Sequence, residues 1–275
     1  PIAALLLSTT QVAFAMERWR FVAAGAIGRW WSVVGKFEAI NALAGYAYEH
    51  PEDGFPDIVE SDQKVGREGL LEAEAIGHPL LPNKKCVRNT IRLGPECQGL
   101  IVSGSNMSGK STLLRTVGVN VVLAFAGAPV HAGSMRVSPL SLGASLTIRD
   151  SLGDGTSRFY SEVMRIRRLM NLASGPLPLL FLLDEIFHGT NSHDRRIGAD
   201  AVINGFLLHG AIGLVTTHDL ALTRIALEPG SRLSNVCFED RFEEGKLVFD
   251  YRIRDGVVKQ SSALQLMRSV GLKVG

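Results

Sequence analysis

The sequence predicts an α/β fold in which a mostly parallel sheet is flanked by helices and preceded by a helical segment. Three observations predict it. Short apolar runs at Gly99–Ser103, Leu179–Leu183 and Ala211–Thr216 have the length and composition of fully buried strands. Longer helical stretches lie between them, and that alternation belongs to a parallel sheet covered on both faces. Over the first fifty residues, apolar side chains instead recur at three- and four-residue steps.

Composition bounds the rest. A length of 275 residues admits about two domains. A hydrophobic fraction of 46% excludes a disordered or low-complexity chain. The net charge of +2 is not that of a strongly basic nucleic-acid binder. Cys86, Cys97 and Cys237 are odd in number and form no Cys-x-x-Cys pair, so neither a disulfide framework nor a cysteine zinc site is expected. A reducing, cytoplasmic setting fits.

The elements follow in order. From Ile2 to Met16 the chain is apolar but carries Ser8, Thr9, Thr10 and Gln11, and it is shorter than the roughly 20 residues of a membrane span. It reads as a packed helix, and a membrane tether is expected only if segments before Pro1 supply one. Trp30, Val33, Val34, Phe37, Ile40 and Ala44 share one helix face and are expected to pack. His50-Pro51, Gly54 and Pro56 then end the helix. After the strand at 99–103, helices are expected over Leu113–Phe125, Thr156–Leu172 and Arg195–Leu208. Leu247 to Ile253 alternates like an edge strand of a hairpin, and Ser262–Val270 reads as a short closing helix.

Three strand ends carry the chemistry. Gly104-Ser105-Asn106-Met107-Ser108-Gly109-Lys110-Ser111-Thr112 fits G-x-x-x-x-G-K-[ST] between a strand and a helix. In such a loop the backbone N–H groups wrap the β-phosphate and the helix dipole adds positive potential. Lys110 faces the β- and γ-phosphates, and the Ser111 hydroxyl is a ligand for Mg2+. The expected cofactors are therefore ATP and Mg2+. Asp184 and Glu185 end the second strand, Asp184 as a metal ligand and Glu185 as the group that polarises the attacking water. Thr216-Thr217-His218-Asp219 ends the third, and His218 there reaches the γ-phosphate or the attacking water. His131, His188, His193 and His209 show no zinc-ligand spacing in the sequence. Together the strand ends predict a P-loop NTPase of the ABC-ATPase type.

Within that class the chain resembles the MutS family of mismatch-repair ATPases. The resemblance rests on Asn106-Met107 inside the phosphate loop and on Asp184-Glu185-Ile186 followed by His188-Gly189-Thr190-Asn191. It also rests on Asp150-Ser151-Leu152 with Gly155 to Glu162, which resemble the family's signature segment, and on Gly77-His78-Pro79-Leu80 with Asn89. The resemblance covers roughly residues 70 to 272 and divides the chain into a helical connector segment, 1–60, and an ATPase domain, 61–275.

The resemblance implies a homodimer with composite ATP sites. Ser157 of one subunit would reach a γ-phosphate in trans, with the helix from about Phe159 aiming its dipole there, and His188 to Asn191 would lie at the dimer interface. Tyr251 falls where the family has a residue that stacks on adenine, and a hairpin-core role for it is equally open. Arg158 replaces the family's usual Thr, Ser105 its usual Pro, and Lys259 to Leu264 departs from its Ser-Tyr-Gly pattern.

The function implied is ATP-driven dimer closure coupled to a DNA transaction. DNA would be handled through parts of the full protein outside this chain and at most weakly here, because Lys84, Lys85, Arg88, Arg165, Arg167 and Arg168 read as solvated faces. The alternatives are a nucleotide-switched binding module with little turnover and an ABC-type ATPase that does not act on DNA. A transporter subunit is disfavoured by the lack of a Leu-Ser-Gly-Gly-Gln segment.

Overall fold

A computed structural model of the chain describes residues 7–59, 68–146, 158–243 and 246–258. The chain divides into two compact units, Pro1–Pro51 and Glu52–Gly275.

The first unit is a single helix, α1 (Ser8–Glu49), closed by His50, whose backbone N–H returns to the Tyr46 carbonyl. The apolar side chains expected to pack are instead exposed, among them Trp30, Val33, Phe37 and Ile40. The reason is architectural. Among the described residues the unit contains no second element, so helical periodicity here marks side chains without a partner inside the unit. Among the described residues no helix is long and apolar enough to cross a membrane.

The second unit holds two sheets. The smaller is built from β1 (Asp57–Ile58), β2 (Leu71–Ile76), β3 (Asn89–Leu93) and β5 (Ser134–Val137), in the order β1-β5-β2-β3. The larger contains β4 (Gly99–Ser103), β6 (Ser141–Ser145), β7 (Leu179–Asp184), β8 (Ile212–Thr217), β9 (Leu233–Glu243) and β10 (Lys246–Asp255), in the order β10-β9-β4-β8-β7-β6. Every neighbouring pair in the larger sheet is parallel except the β9–β10 hairpin at its edge.

Strand alternation separates two cores. Leu100, Val102, Leu180, Leu182 and Leu214 join one cluster with Leu113, Leu114, Val117 and Val121 of α2 (Lys110–Ala126). The smaller sheet contributes Leu71, Ile91 and Val137 to the same cluster. Ile101, Leu179, Phe181, Leu183 and Val215 point the other way, toward Ile166 and Leu169 of α3 (Arg158–Ala173) and Ile203 and Phe206 of α4 (Ser192–Leu208). Because both faces are covered, β4, β7 and β8 are apolar almost throughout, and each fully buried aliphatic side chain contributes about 1.5–3 kcal/mol. α4 begins three residues before the expected start. Asn191 caps it by accepting a hydrogen bond from the Asp194 N–H at 2.9 Å, which the apolar pattern does not report.

The consequence for function is positional. β8 lies between β4 and β7, and all three run in parallel. Their C-terminal ends therefore share one edge of the sheet, where α/β proteins bind ligands.

Candidate functional site

The phosphate loop joins β4 to α2. Gly104 has φ +155° and a Cβ there would meet the Phe238 carbonyl at 3.0 Å, so the turn needs glycine. Gly109 caps α2 at φ +106°, and a Cβ would meet the Tyr251 ring at 3.1 Å. Met107 also has positive φ, 70°, and its side chain is exposed. Asn106 lines the cavity beside it, while Ser105 and Ser108 carry buried hydroxyls with no hydrogen-bond partner. A phosphate group in the loop would supply the acceptors that these orphaned donors lack.

Lys110 is only 5% exposed, and its ammonium donates to the Gly104 and Ser105 carbonyls at 2.8 Å each. Burial pushes its pKa below the ordinary lysine range, while the nearby Glu185 and Asp184 carboxylates oppose that shift. Ser111 Oγ donates to Asp184 Oδ1 at 3.0 Å. Two hard oxygen donors held together at the loop fit Mg2+, which takes oxygen ligands and keeps several waters. Thr112 lines the same cavity.

Thr216 on the intervening strand completes the arrangement. Its hydroxyl donates to Asp184 Oδ1 at 2.6 Å and accepts from the Glu185 N–H at 3.0 Å. Glu185 sits at φ +51°, in the left-handed region that non-glycine residues rarely adopt. His218 Nδ1 stands 3.4 Å from Glu185 Oε1. The expected catalytic pair, Glu185 and His218, thus meets at the edge that holds Asp184 and Ser111.

Tyr251 lies on a bulge. The β9–β10 register shifts between Phe249 and Ile253, and Tyr251 has φ +55°. Asn89 holds this bulge from β3, donating to the Tyr251 carbonyl at 3.0 Å and accepting from the Ile253 N–H at 2.8 Å. The ring is 44% exposed and lines the site cavity, so it is not a hairpin-core side chain. That cavity, about 750 Å3, joins the phosphate loop and Glu185 to Tyr251, His78 and Cys86. Burial, with Arg115 and His131 beside it, pushes the His78 imidazole below its ordinary pKa.

Several residues of the site lie outside the three strand-end motifs. Asn120 on α2 donates to the Gly77 carbonyl at 3.0 Å and accepts from the His131 N–H at 2.7 Å, fixing the backbone next to His78. His131 Nδ1 is 2.8 Å from Asp53 Oδ1, both fully buried. Glu162 on α3 is buried and accepts from the Phe187 N–H at 2.7 Å, bracing the turn after Glu185. Arg195 donates to the carbonyls of Phe187 and Thr190 in the same turn. Of these, Glu162 closes the segment Gly155 to Glu162 already singled out in the sequence, whereas Asn120 carries no signal there. Ser157, Asp150 to Gly155 and Lys259 to Val270 lie outside the described residues.

The comparisons with known proteins agree with this geometry. The family model for MutS domain V matches residues 100–274, most of the second unit. The chain belongs to the MutS family. It is 31% identical over 276 aligned positions to the DNA mismatch repair protein MutS of Brevibacillus brevis, covering 96% of the chain and 31% of that protein. It is 30% identical over 229 positions to the endonuclease MutS2 of Thermus thermophilus, covering 80% of the chain and 30% of that relative. A third similar relative is the endonuclease MutS2 of Lactiplantibacillus plantarum, 27% identical over 88% of the chain and 29% of the relative. The chain therefore spans under a third of these MutS relatives, and the part it matches is the family's P-loop ATPase domain.

Proposed function

We propose that this chain is the ATP-binding and ATP-hydrolysing module of a MutS-like protein, of the ABC type, whose ATP cycle closes a dimer and so moves DNA-handling parts of the full protein. The observation that carries the reading is Ser111 hydrogen-bonded to Asp184, with Thr216 tying Asp184 to Glu185. These residues give each part of a phosphoryl-transfer site a physical basis. Loop N–H groups and Lys110 bind the phosphates, and Ser111 and Asp184 would hold Mg2+, which neutralises phosphate charge when bound. Glu185 would accept a hydrogen bond from the attacking water, oriented in turn by His218. Tyr251 offers a ring for the base.

The dimer and DNA parts of the proposal rest on kinship. The relatives named for mismatch repair and for endonuclease activity are longer proteins, and Ser157 would make the contact in trans.

The test compares ATP turnover of the chain with that of Glu185→Gln, and the sedimentation mass of Glu185→Gln with and without Mg-ATP. The expectation is turnover lowered by at least about 100-fold, on the scale of general-base catalysis, with a monomer that becomes a dimer only with Mg-ATP. Equal turnover in both proteins would remove Glu185 from its role. ATP-dependent dimerisation with negligible turnover in the unaltered chain would favour a nucleotide-switched binding module.

A further inference from the structure

Beside the catalytic pair of Glu185 and His218 stands a further imidazole, His188, that phosphate chemistry does not require. Glu185, His188 and His218 each present one ligand atom, and these atoms all lie within 4.8 Å of one another. His218 Nδ1 is 3.4 Å from Glu185 Oε1, and His188 Nδ1 is 3.9 Å from Glu185 Oε2. The two imidazoles meet edge to face with centroids 5.1 Å apart. Among the described residues no other trio of His, Cys, Asp or Glu side chains converges in this way.

Two imidazole nitrogens and one carboxylate form the donor set of a zinc site with an open fourth position. Ligand atoms about 2.0–2.2 Å from a tetrahedral zinc stand roughly 3.3 Å apart. Glu185 and His218 already have that separation. His188 Nδ1 faces the other carboxylate oxygen, Oε2, at 3.9 Å, and with all three ligand atoms within 4.8 Å of one another, rotation of an imidazole that is about half exposed has to draw them in by up to about 1.5 Å to reach tetrahedral spacing. Its backbone is held in place, because Arg195 fixes the carbonyls of Phe187 and Thr190 on either side. The nitrogen-rich set is wrong for Mg2+, which takes oxygen ligands, whereas Ser111 and Asp184 offer oxygen alone. Ligand chemistry thus sorts two classes of cation onto two adjacent places.

We propose that Glu185, His188 and His218 bind a divalent transition-metal ion of the zinc class, and that the bound metal stops ATP turnover by holding the Glu185 carboxylate. The second half rests on the role proposed for Glu185. The first half does not.

The test uses the whole chain without nucleotide, with Co2+ and Zn2+ as probes. Co2+ is expected to give the intense visible absorption of a four-coordinate ion, abolished by one equivalent of Zn2+. His188→Gln and His218→Gln are each expected to weaken Zn2+ binding by at least about tenfold, the lower end of the range for disturbing even the outer shell of a metal site. Both side chains are partly exposed, and Gln keeps a polar group of similar reach. In a second experiment, Zn2+ added over saturating Mg-ATP is expected to inhibit turnover, with the half-inhibiting concentration raised at least about tenfold in His188→Gln.

Absence of the cobalt bands, or Zn2+ affinity unchanged in both variants, overturns the site. Zinc bound through the three residues without loss of turnover overturns the inhibition. A chain that turns over no ATP at all defeats the function proposed above, and the cobalt spectrum still decides the metal site.

Discussion

The Thr216 hydroxyl donates to Asp184 Oδ1 at 2.6 Å, and so a threonine on the middle strand holds the carboxylate that faces the phosphate loop. The same oxygen accepts the Glu185 N–H. One hydroxyl therefore orients the candidate metal ligand and the backbone of the candidate base. Thr216→Val removes both bonds while keeping the β-branched shape. A hydrogen bond to a charged group contributes about 1.5–3 kcal/mol, so turnover should fall roughly 10- to 100-fold and the Mg2+ concentration for half-maximal rate should rise. Thr216→Ser should recover most of both. Steady-state ATPase assays across a Mg2+ titration check this, and Val behaving like Thr would refute it.

Asn89, which lines the site cavity, should control the nucleotide through its hold on Tyr251. Asn89→Ala frees the Tyr251 carbonyl and the Ile253 N–H at the bulge. The expected result is ATP affinity several-fold lower, about 1 kcal/mol, with the rate at saturating ATP little changed. Tyr251→Phe should bind like the unaltered chain, because the ring faces are equivalent. Tyr251→Ala should bind as weakly as Asn89→Ala or worse. Equilibrium titration with a fluorescent ATP analogue distinguishes them.

The depressed pKa of Lys110 gives a pH signature. Its buried ammonium loses its proton below the ordinary lysine range, and the positive charge facing the phosphates is lost with it. ATP affinity should therefore fall as pH rises through that lowered value. The Glu185 carboxylate works against the shift, so Glu185→Gln should move the fall to still lower pH. An affinity profile from pH 7 upward measures both, and a displacement to higher pH in Glu185→Gln would contradict the electrostatic account. The sign for stability is opposite. The folded chain holds the proton less tightly than the unfolded chain, so Lys110 contributes stability that increases as pH rises between the two values.

Glu162 braces the turn that presents Glu185. Its carboxylate is buried and accepts from the Phe187 N–H at 2.7 Å, where Phe187 has φ +57°. Glu162→Ala leaves that N–H unpaired in the interior. The expected loss of stability is about 2–3 kcal/mol, visible in urea denaturation, accompanied by lower turnover.

The parts legible in the sequence are those with a strong local cause. The runs at Gly99–Ser103 and Leu179–Leu183 are apolar because both sheet faces are covered, and that is why they read as strands. Leu247–Ile253 reads as an edge strand because its alternation survives beside a bulge. The smaller sheet carries no such mark. β2 is Leu-Glu-Ala-Glu-Ala-Ile, with one buried face and good helix formers, so its strand state comes from pairing with β3 and β5. β6 is small and polar and is a strand because β7 lies beside it. β9 is the fifth parallel strand, and its mixed polarity hides it. In the site, Lys110, Asp184 and Glu185 are readable from spacing. Thr216, Asn89 and Glu162 act through hydrogen bonds across long sequence separations, and spacing does not encode these. The helical period of α1 identifies the helix, but the packing expected of its apolar side chains is absent, because periodicity says nothing of what would cover them.

The middle position of β8 sets an order of assembly. The strands on either side of it, β4 and β7, both come earlier in the chain, and they join one sheet only when β8 pairs with both. The pairing of Gly99 with Gly213 closes a loop of more than a hundred residues, the kind of non-local contact that makes folding slow. Until that pairing, Ser111 and Asp184 have neither Thr216 nor a common sheet edge. A chain ending before Ile212 would keep the phosphate-loop sequence and both carboxylates and still have no nucleotide site. ATP, by binding only the completed sheet, should act as a folding ligand that drives the final strand home.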